Sequence, residues 1–170
     1  GIKMLYRQML DLYDILDDEK ADGKSVVEYM KKINADCLAE THVLKGAQGI
    51  THMVKVVIPG EKGKRNGGEA PTIGILGRLG GLGARPEREG FVSDGDGALA
   101  ALTAAAKLLD MQKKGDYLQG DVIVSTHVCP DAPTKPHEPV PFMGSPVEMY
   151  QVNQDEVTEE MDAILSIDTT

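Results

Sequence analysis

An alanine-rich helical segment between two short strand-like runs is the feature that most limits how this chain can fold. Apolar side chains recur at helical spacing over residues 97–113, and two lysines followed by Gly115 end the segment. The run before it, at 72–78, is strand-like, and DVIVSTHV at 121–128 is typical of a strand buried on both faces. A helix between two such strands predicts an α/β domain with parallel strands.

The rest of the sequence alternates between helical and extended patterns as well. Helical spacing predicts helices over 4–17 and 24–34, and two extended runs around Gly46–Gly49 predict a β-hairpin. A further helix is expected over 147–161, followed by a last buried strand in DAILSID at 162–168. We therefore expect a mostly parallel sheet with helices on both faces, preceded by N-terminal helices and a hairpin.

The length, charge and cysteine content narrow the class of protein. Its 170 residues fit one domain with a single core. A net charge of −9 argues against a nucleic-acid binder, which needs lysine and arginine to neutralise phosphates. No apolar run approaches the roughly 20 residues of a membrane span, and Cys37 and Cys129 form neither a disulfide framework nor a CxxC metal pair. We expect a cytoplasmic protein, with residues 1–170 as the N-terminal part of a longer or processed chain.

Polar residues follow the predicted strands at the points where ligands bind in parallel α/β sheets. They are an arginine, a histidine, a cysteine and three aspartates, at Arg78, Asp94, His127, Cys129, Asp131 and Asp168. Crowded carboxylates repel one another and raise each other's pKa, so such a cluster normally holds a cation. The sequence therefore predicts a divalent metal held by the three aspartates.

Each of these residues also has a purely structural interpretation. Asp94 and Asp131 are of the type that forms turns, and Asp168 could be a solvated strand end. His127, inside a buried strand, could be a hydrogen-bonded core histidine, and Cys129 a small buried side chain. The glycine-rich stretch GRLGGLGA fits neither a dinucleotide fingerprint nor a P-loop, so a nucleotide site is not expected.

Segments from about 71 to 131 and at 162–170 resemble the co-catalytic zinc aminopeptidases and their relatives. SDGDGALAALTAAAKLL resembles the segment with their metal-bridging aspartate, GDVIVSTHVCPDAP the following strand, and DAILSIDTT the last ligand-bearing strand. The resemblance implies a zinc-peptidase-like (phosphorylase/hydrolase-like) fold. It also implies Asp94 as the bridging ligand and Asp131 and Asp168 as further ligands of zinc, manganese or cobalt.

The chain departs from that pattern at two positions. Gly77 and Arg78 stand where the superfamily has a ligand histidine, and Pro130 stands where it has a catalytic glutamate, which leaves His127 and Cys129 as candidate replacements. The chain as a whole, above all APTIGILGRLGGLGARPEREGFVSDGDGALAAL and HEPVPFMGSPVEM, resembles a bacterial family known as domain of unknown function 1177. That resemblance implies no activity, and it implies a polypeptide that continues past this point.

Three functional hypotheses follow from these observations. The first is a metallopeptidase-like hydrolase of an amide bond in a small peptide or amino-acid derivative, with Arg78 binding a substrate carboxylate. The second is a non-enzymatic binding or assembly module on a degenerate peptidase scaffold. The third is one chain of a self-processed hydrolase, cleaved near 168–170 to free a threonine nucleophile on the second chain. We expect a homo-oligomer, joined in the third case by the C-terminal chain of the same precursor.

Overall fold

The computed structural model describes most of the predicted elements. It covers residues 1–17, 22–46, 49–77, 83–85, 88–90, 96–128, 134–135, 142–143 and 161–167. Within these ranges the elements are α1 (Ile2–Asp17), α2 (Gly23–Ile33), β1 (Leu38–Gly46), β2 (Gly49–Ile58), a 3-10 turn (Lys64–Asn66), β3 (Ile73–Gly77), β4 (Gly83–Arg85), β5 (Arg88–Gly90), α3 (Asp96–Lys113), β6 (Val122–Val128), β7 (Thr134–Lys135), β8 (Phe142–Met143) and β9 (Ala163–Ile167). The N-terminal helices, the hairpin and the alanine-rich helix are confirmed, whereas the helix expected over 147–161 lies outside the described residues.

The main sheet has five strands in the order β1-β2-β6-β3-β9, and it is mixed. The β1-β2 hairpin joins β6 through an antiparallel β2-β6 pair, and β3 lies parallel to both β6 and β9. Two short antiparallel pairs, β4-β5 and β7-β8, are separate from it. The α/β class is therefore confirmed. Among the described strands of the main sheet, two neighbouring pairs are antiparallel and two are parallel.

The two N-terminal helices have clear local causes. Helix α2 begins after Asp22, whose Oδ1 accepts a hydrogen bond from the Ser25 backbone N–H at 2.8 Å and one from the Ser25 hydroxyl at 2.7 Å. Such an N-cap satisfies an amide that the helix itself leaves unpaired. Helix α1 turns Gln8, Leu12 and Leu16 inward at spacings of four residues, as an amphipathic helix does.

The core lies between these helices and one face of the sheet. Helices α1, α2 and α3 all contact one another, so the described helices lie on the same face. The alanines of α3 are small enough for close packing on the strands. The buried apolar side chains of this cluster are Leu12, Leu16, Val26, Val27, Met30, Val54, Val56, Ile58, Ala98, Ala101, Leu102, Ala105, Ala106, Leu109, Val122, Val124 and Val128.

Strand β6 is buried on both faces, as DVIVSTHV predicts. All seven of its residues are buried. Because side chains alternate along a strand, Val122, Val124 and Val128 point into the helix-side core. Ser125 and His127 therefore point to the opposite face of the sheet. Strand β6 is the central element that connects the hairpin half of the sheet to the parallel half.

The expected burial of the last strand is wrong for the described residues. Strand β9 forms at Ala163–Ile167, inside the predicted range, but its first four residues are exposed and Ile167 is half-buried. Among the described strands β9 has one neighbour, β3, so it lies at the edge of the sheet. Apolar residues on both faces of a strand thus do not by themselves show that the strand is covered.

The basic segment EKGKRNGG at 61–68, between β2 and β3, is a loop with one 3-10 turn, and two aspartates hold it. The buried Asp121 carboxylate accepts hydrogen bonds from the backbone N–H groups of Gly60 at 2.7 Å and Arg65 at 3.1 Å. The exposed Asp162 carboxylate pairs with Lys64 Nζ at 2.6 Å, and this hydrogen bond lowers the pKa of Asp162. Both contacts lie at the edge of the sheet where β3 and β6 begin. The predicted site belongs to the opposite edge, where these strands end.

Candidate functional site

The carboxyl ends of three adjacent parallel strands lie level with one another. Gly77, the last residue of β3, is in register with Thr126 on β6 and with Ile167, the last residue of β9. Strand β6 ends two residues later, at Val128. The Thr126 hydroxyl also donates a hydrogen bond to the Gly77 carbonyl oxygen at 2.7 Å, inside the protein. In open α/β sheets this edge is where ligands bind.

The first turn of α3 packs against the end of β3. A Cβ atom at position 77 would lie 2.6 Å from Gly97 O, 2.7 Å from Ala101 Cβ and 2.8 Å from Ala98 Cα. Only glycine at position 77 therefore lets the helix approach this closely. The start of α3, with its unpaired N–H groups and partial positive charge, consequently lies beside the middle strand of the parallel half.

Five of the six predicted site residues lie outside the described residues: Arg78, Asp94, Cys129, Asp131 and Asp168. In the sequence, three of them come directly after a strand of the parallel half, since Arg78 follows β3, Cys129 follows β6 and Asp168 follows β9. Asp131 comes three residues after β6, and Asp94 precedes α3 by two residues.

His127, the sixth predicted residue, is a buried residue of β6, one position before the end of the strand. It points away from α3 and is paired with Met53 of β2, which points to the same face. His127 is therefore an interior histidine, and it lies at the carboxyl edge of the sheet, where the site is predicted. Its catalytic role stays a prediction.

Ser125 is a polar residue within β6, so the pattern of residues that follow strands does not include it. It is buried two residues before His127 on the same face of β6. Within the part of the chain that the structure describes, its hydroxyl oxygen makes no hydrogen bond. A buried polar group without a partner costs free energy, so it marks a position to test. The two-residue alternation of β6 is the sequence signal that pairs Ser125 with His127.

A separate cleft of about 570 Å³ lies at the other edge of the sheet, near the start of β1 and the end of α3. Its lining includes Asn34, Cys37, Pro59, Gln112 and Tyr117. The Gln112 side-chain amide donates a hydrogen bond to the Pro59 carbonyl oxygen at 2.6 Å, so this side chain has a structural role. Burial raises the pKa of the Cys37 thiol, which keeps the thiol protonated and a poor nucleophile. The cleft therefore offers weaker chemistry than the carboxyl edge.

The described residues contain neither a metal-ligand cluster nor a membrane-spanning helix. No group of three or more histidine, cysteine, aspartate or glutamate side chains comes together there in a way that could hold a metal ion. The three aspartates of the predicted metal site are outside those residues. None of the described helices has the length and the hydrophobicity that a transmembrane segment requires.

A family model matches most of the chain. It is described as "Protein of unknown function (DUF1177)" and matches residues 42–170, which include, in part or in full, the nine strands that the structure describes, together with helix α3 and every predicted site residue. No curated protein matches the chain.

Proposed function

The chain belongs to the DUF1177 family, and we propose that it is a metal-dependent hydrolase of an amide bond in a small peptide or amino-acid derivative. Its site would be the carboxyl edge of β6, β3 and β9. The observation that carries the proposal is the level ending of these parallel strands beside the first turn of α3. The resemblance of the surrounding segments to zinc aminopeptidases supports the same chemistry.

Covalent geometry supports a shared site for the proposed residues. Gly77 and Ile167 are register partners on neighbouring strands, and such strands lie about 4.8 Å apart. Arg78 and Asp168 each follow their partner by one residue, a step of about 3.8 Å between Cα atoms. Asp94 is two residues from the start of a helix that packs on Gly77. We therefore propose a common pocket for Arg78, Asp94 and Asp168.

The proposed donor set fits a divalent cation, because Asp94, Asp131 and Asp168 supply carboxylate oxygens, which bind such ions. When bound, zinc, manganese or cobalt would polarise the scissile carbonyl and lower the pKa of a bound water. Arg78 would bind a substrate carboxylate through its planar guanidinium.

The remaining roles belong to His127, Cys129 and the fold itself. His127 would hold or transfer a proton at the edge, and Cys129 would be a second candidate for that role. The start of α3 would favour negative charge developing near Gly77. A cytoplasmic location, also proposed, agrees with the free thiol of Cys37.

Metal content of the purified full chain tests the proposal. The protein is expressed in medium supplemented with zinc, manganese and cobalt, and metal is measured by inductively coupled plasma mass spectrometry. We expect bound metal in stoichiometric amount and its loss in Asp94→Ala and Asp168→Ala. The matched control is Asp116→Ala, an exposed aspartate beyond the other end of α3, which should keep the metal. Absence of metal from the folded wild-type protein would refute the hydrolase proposal.

A non-enzymatic assembly module is the second candidate. The observation in its favour is that Arg78 and Pro130 stand where the resembling peptidases have a ligand histidine and a catalytic glutamate. Asp94→Ala separates the two candidates. A change in metal content and peptide hydrolysis with unchanged folding would favour the enzyme, whereas loss of self-association with no metal effect would favour the module.

A further inference from the structure

Helix α1 has an inward face and an outward face that are both largely apolar. The inward face, with Leu12 and Leu16, is buried against the core. The outward stripe follows successive helical turns and keeps large side chains in solvent. Its members are Ile2 (86% exposed), Tyr6 (58%), Leu10 (44%) and Tyr13 (39%). A contiguous apolar stripe of this kind is typical of an interaction surface.

The charges beside this stripe are divided between the two halves of the helix. Lys3 and Arg7 lie in the first half, and Asp14 and Asp17 lie in the second. At 100° per residue, Lys3, Arg7 and Asp14 lie along the same flank of the stripe, whereas Asp17 lies in line with the stripe itself, one turn beyond Tyr13. The flank is therefore basic at one end and acidic at the other.

This charge pattern is complementary to itself when the helix direction is reversed. A two-fold axis perpendicular to α1 keeps the charged flanks of two helices on the same side and runs them in opposite directions. The basic end of each flank then faces the acidic end of the other, with Arg7 of one helix opposite Asp14 of its partner. A parallel pair instead turns the two charged flanks to opposite sides. We propose that the outward stripe of α1 is an interface at which two copies of this chain pair with antiparallel helices.

The size of the stripe sets the expected strength of this pairing. A helix of 16 residues is about 24 Å long, at about 1.5 Å per residue. An interface limited to one such helix from each copy is at the small end of specific interfaces. The dimer should therefore dissociate on dilution into the micromolar range. This proposal concerns a different surface from the carboxyl edge and does not depend on metal binding.

Charge reversal tests the pairing in the full chain. Sedimentation velocity is measured from about 1 to 200 μM, where an interface of this size dissociates. Lys3→Glu with Arg7→Glu makes the flank wholly acidic, and Asp14→Lys makes it wholly basic. Each variant should weaken dimerisation about tenfold or more, and an equimolar mixture of the two should form a mixed dimer.

A control variant separates interface charge from net charge. Lys31→Glu with Lys32→Glu changes the net charge as much as Lys3→Glu with Arg7→Glu, but on exposed positions at the end of α2. It should leave the dissociation constant unchanged. Far-UV circular dichroism is the control measurement for the folding of each variant. A wild-type chain that is monomeric throughout the series, or a dimer that neither α1 variant weakens, would overturn the proposal.

Cysteine cross-linking tests the orientation. In a background with Cys37→Ser and Cys129→Ser, Leu10→Cys places a thiol near the middle of α1, where the two-fold axis would pass. It should form an intermolecular disulfide under copper-phenanthroline oxidation. Ile2→Cys is the matched control, because the two Ile2 Cα atoms of an antiparallel pair centred on Leu10 would be at least about 24 Å apart. Efficient cross-linking at Ile2 would contradict antiparallel pairing.

Discussion

The contact between Gly77 and α3 can be tested by adding a single methyl group. In Gly77→Ala the new Cβ would lie between 2.6 and 2.8 Å from Gly97 O, Ala101 Cβ and Ala98 Cα, two of which are backbone atoms of the helix. None of the three can rotate away, so the first turn of α3 or the end of β3 must shift. Such overpacking usually costs about 1–3 kcal/mol.

Part of this cost is offset in the unfolded state. Replacing glycine by alanine reduces the entropy of the unfolded chain, which stabilises the protein by about 0.4–1 kcal/mol. We therefore expect Gly77→Ala to lower the free energy of unfolding by about 1–2 kcal/mol, or the Tm by about 2–8 °C for a domain of this size. The measurement is urea denaturation followed by far-UV circular dichroism.

Gly74→Ala is the matched control on the same strand. There the new Cβ would contact the Met161 side chain, whose sulfur and terminal methyl can move to another rotamer. We expect its free energy of unfolding to stay within about 0.5 kcal/mol of the wild-type value, because the small steric cost and the entropic gain nearly cancel. Equal stabilities for Gly77→Ala and Gly74→Ala would refute the close approach of α3 to β3. Ala101→Gly should cost less in the Gly77→Ala background than in the wild type, because in that background it also removes one of the three close contacts.

Three further predictions concern polar groups of the fold. Asp121→Ala should cost about 2–4 kcal/mol of unfolding free energy in urea titrations, because two loop N–H groups lose a buried carboxylate acceptor. Asp22→Ala should cost about 1 kcal/mol at pH 7. Because the hydrogen bond from Ser25 lowers the pKa of Asp22 from its ordinary 3.8, this difference should shrink as the pH falls below 3.8 and through the lowered pKa, and a difference that stays constant throughout the acid range would contradict it. Burial, and then the hydrogen bond to Asp11, raise the pKa of Tyr29 to about 12. Tyr29 should therefore contribute fully to stability below pH 10, and this contribution should be lost as the pH rises towards 12. Absorbance titration at 295 nm should show this pKa moving down in Asp11→Asn.

Much of the fold was predictable because its causes are local. The alanine-rich segment with its lysine-rich end forms α3, and the Val- and Ile-rich runs around Gly46–Gly49 form the hairpin. The parallel arrangement of β3 and β6 likewise follows from the helix between them. The candidate site was predictable only as a place in the chain, since Arg78, Asp94 and Asp168 were selected by their positions next to strands and a helix.

The features that sequence patterns missed depend on what packs against what. The run in DAILSID has the same apolar character whether it is central or at an edge, so its exposure follows only from the strand order. The mixed direction of the sheet is decided by where the hairpin docks on β6, a pairing between residues about 70 positions apart in sequence.

What the sequence alone determined is the two N-terminal helices, the hairpin, the alanine-rich helix and the βαβ order, because these depend on side chains within a few residues of one another. The tertiary structure decided that Gly77 must be glycine, that Asp121 holds a loop 61 residues away in sequence at Gly60, and that one apolar face of α1 is buried while the other is exposed. Each of these depends on which surfaces meet when the chain folds, and no spacing along the chain specifies that.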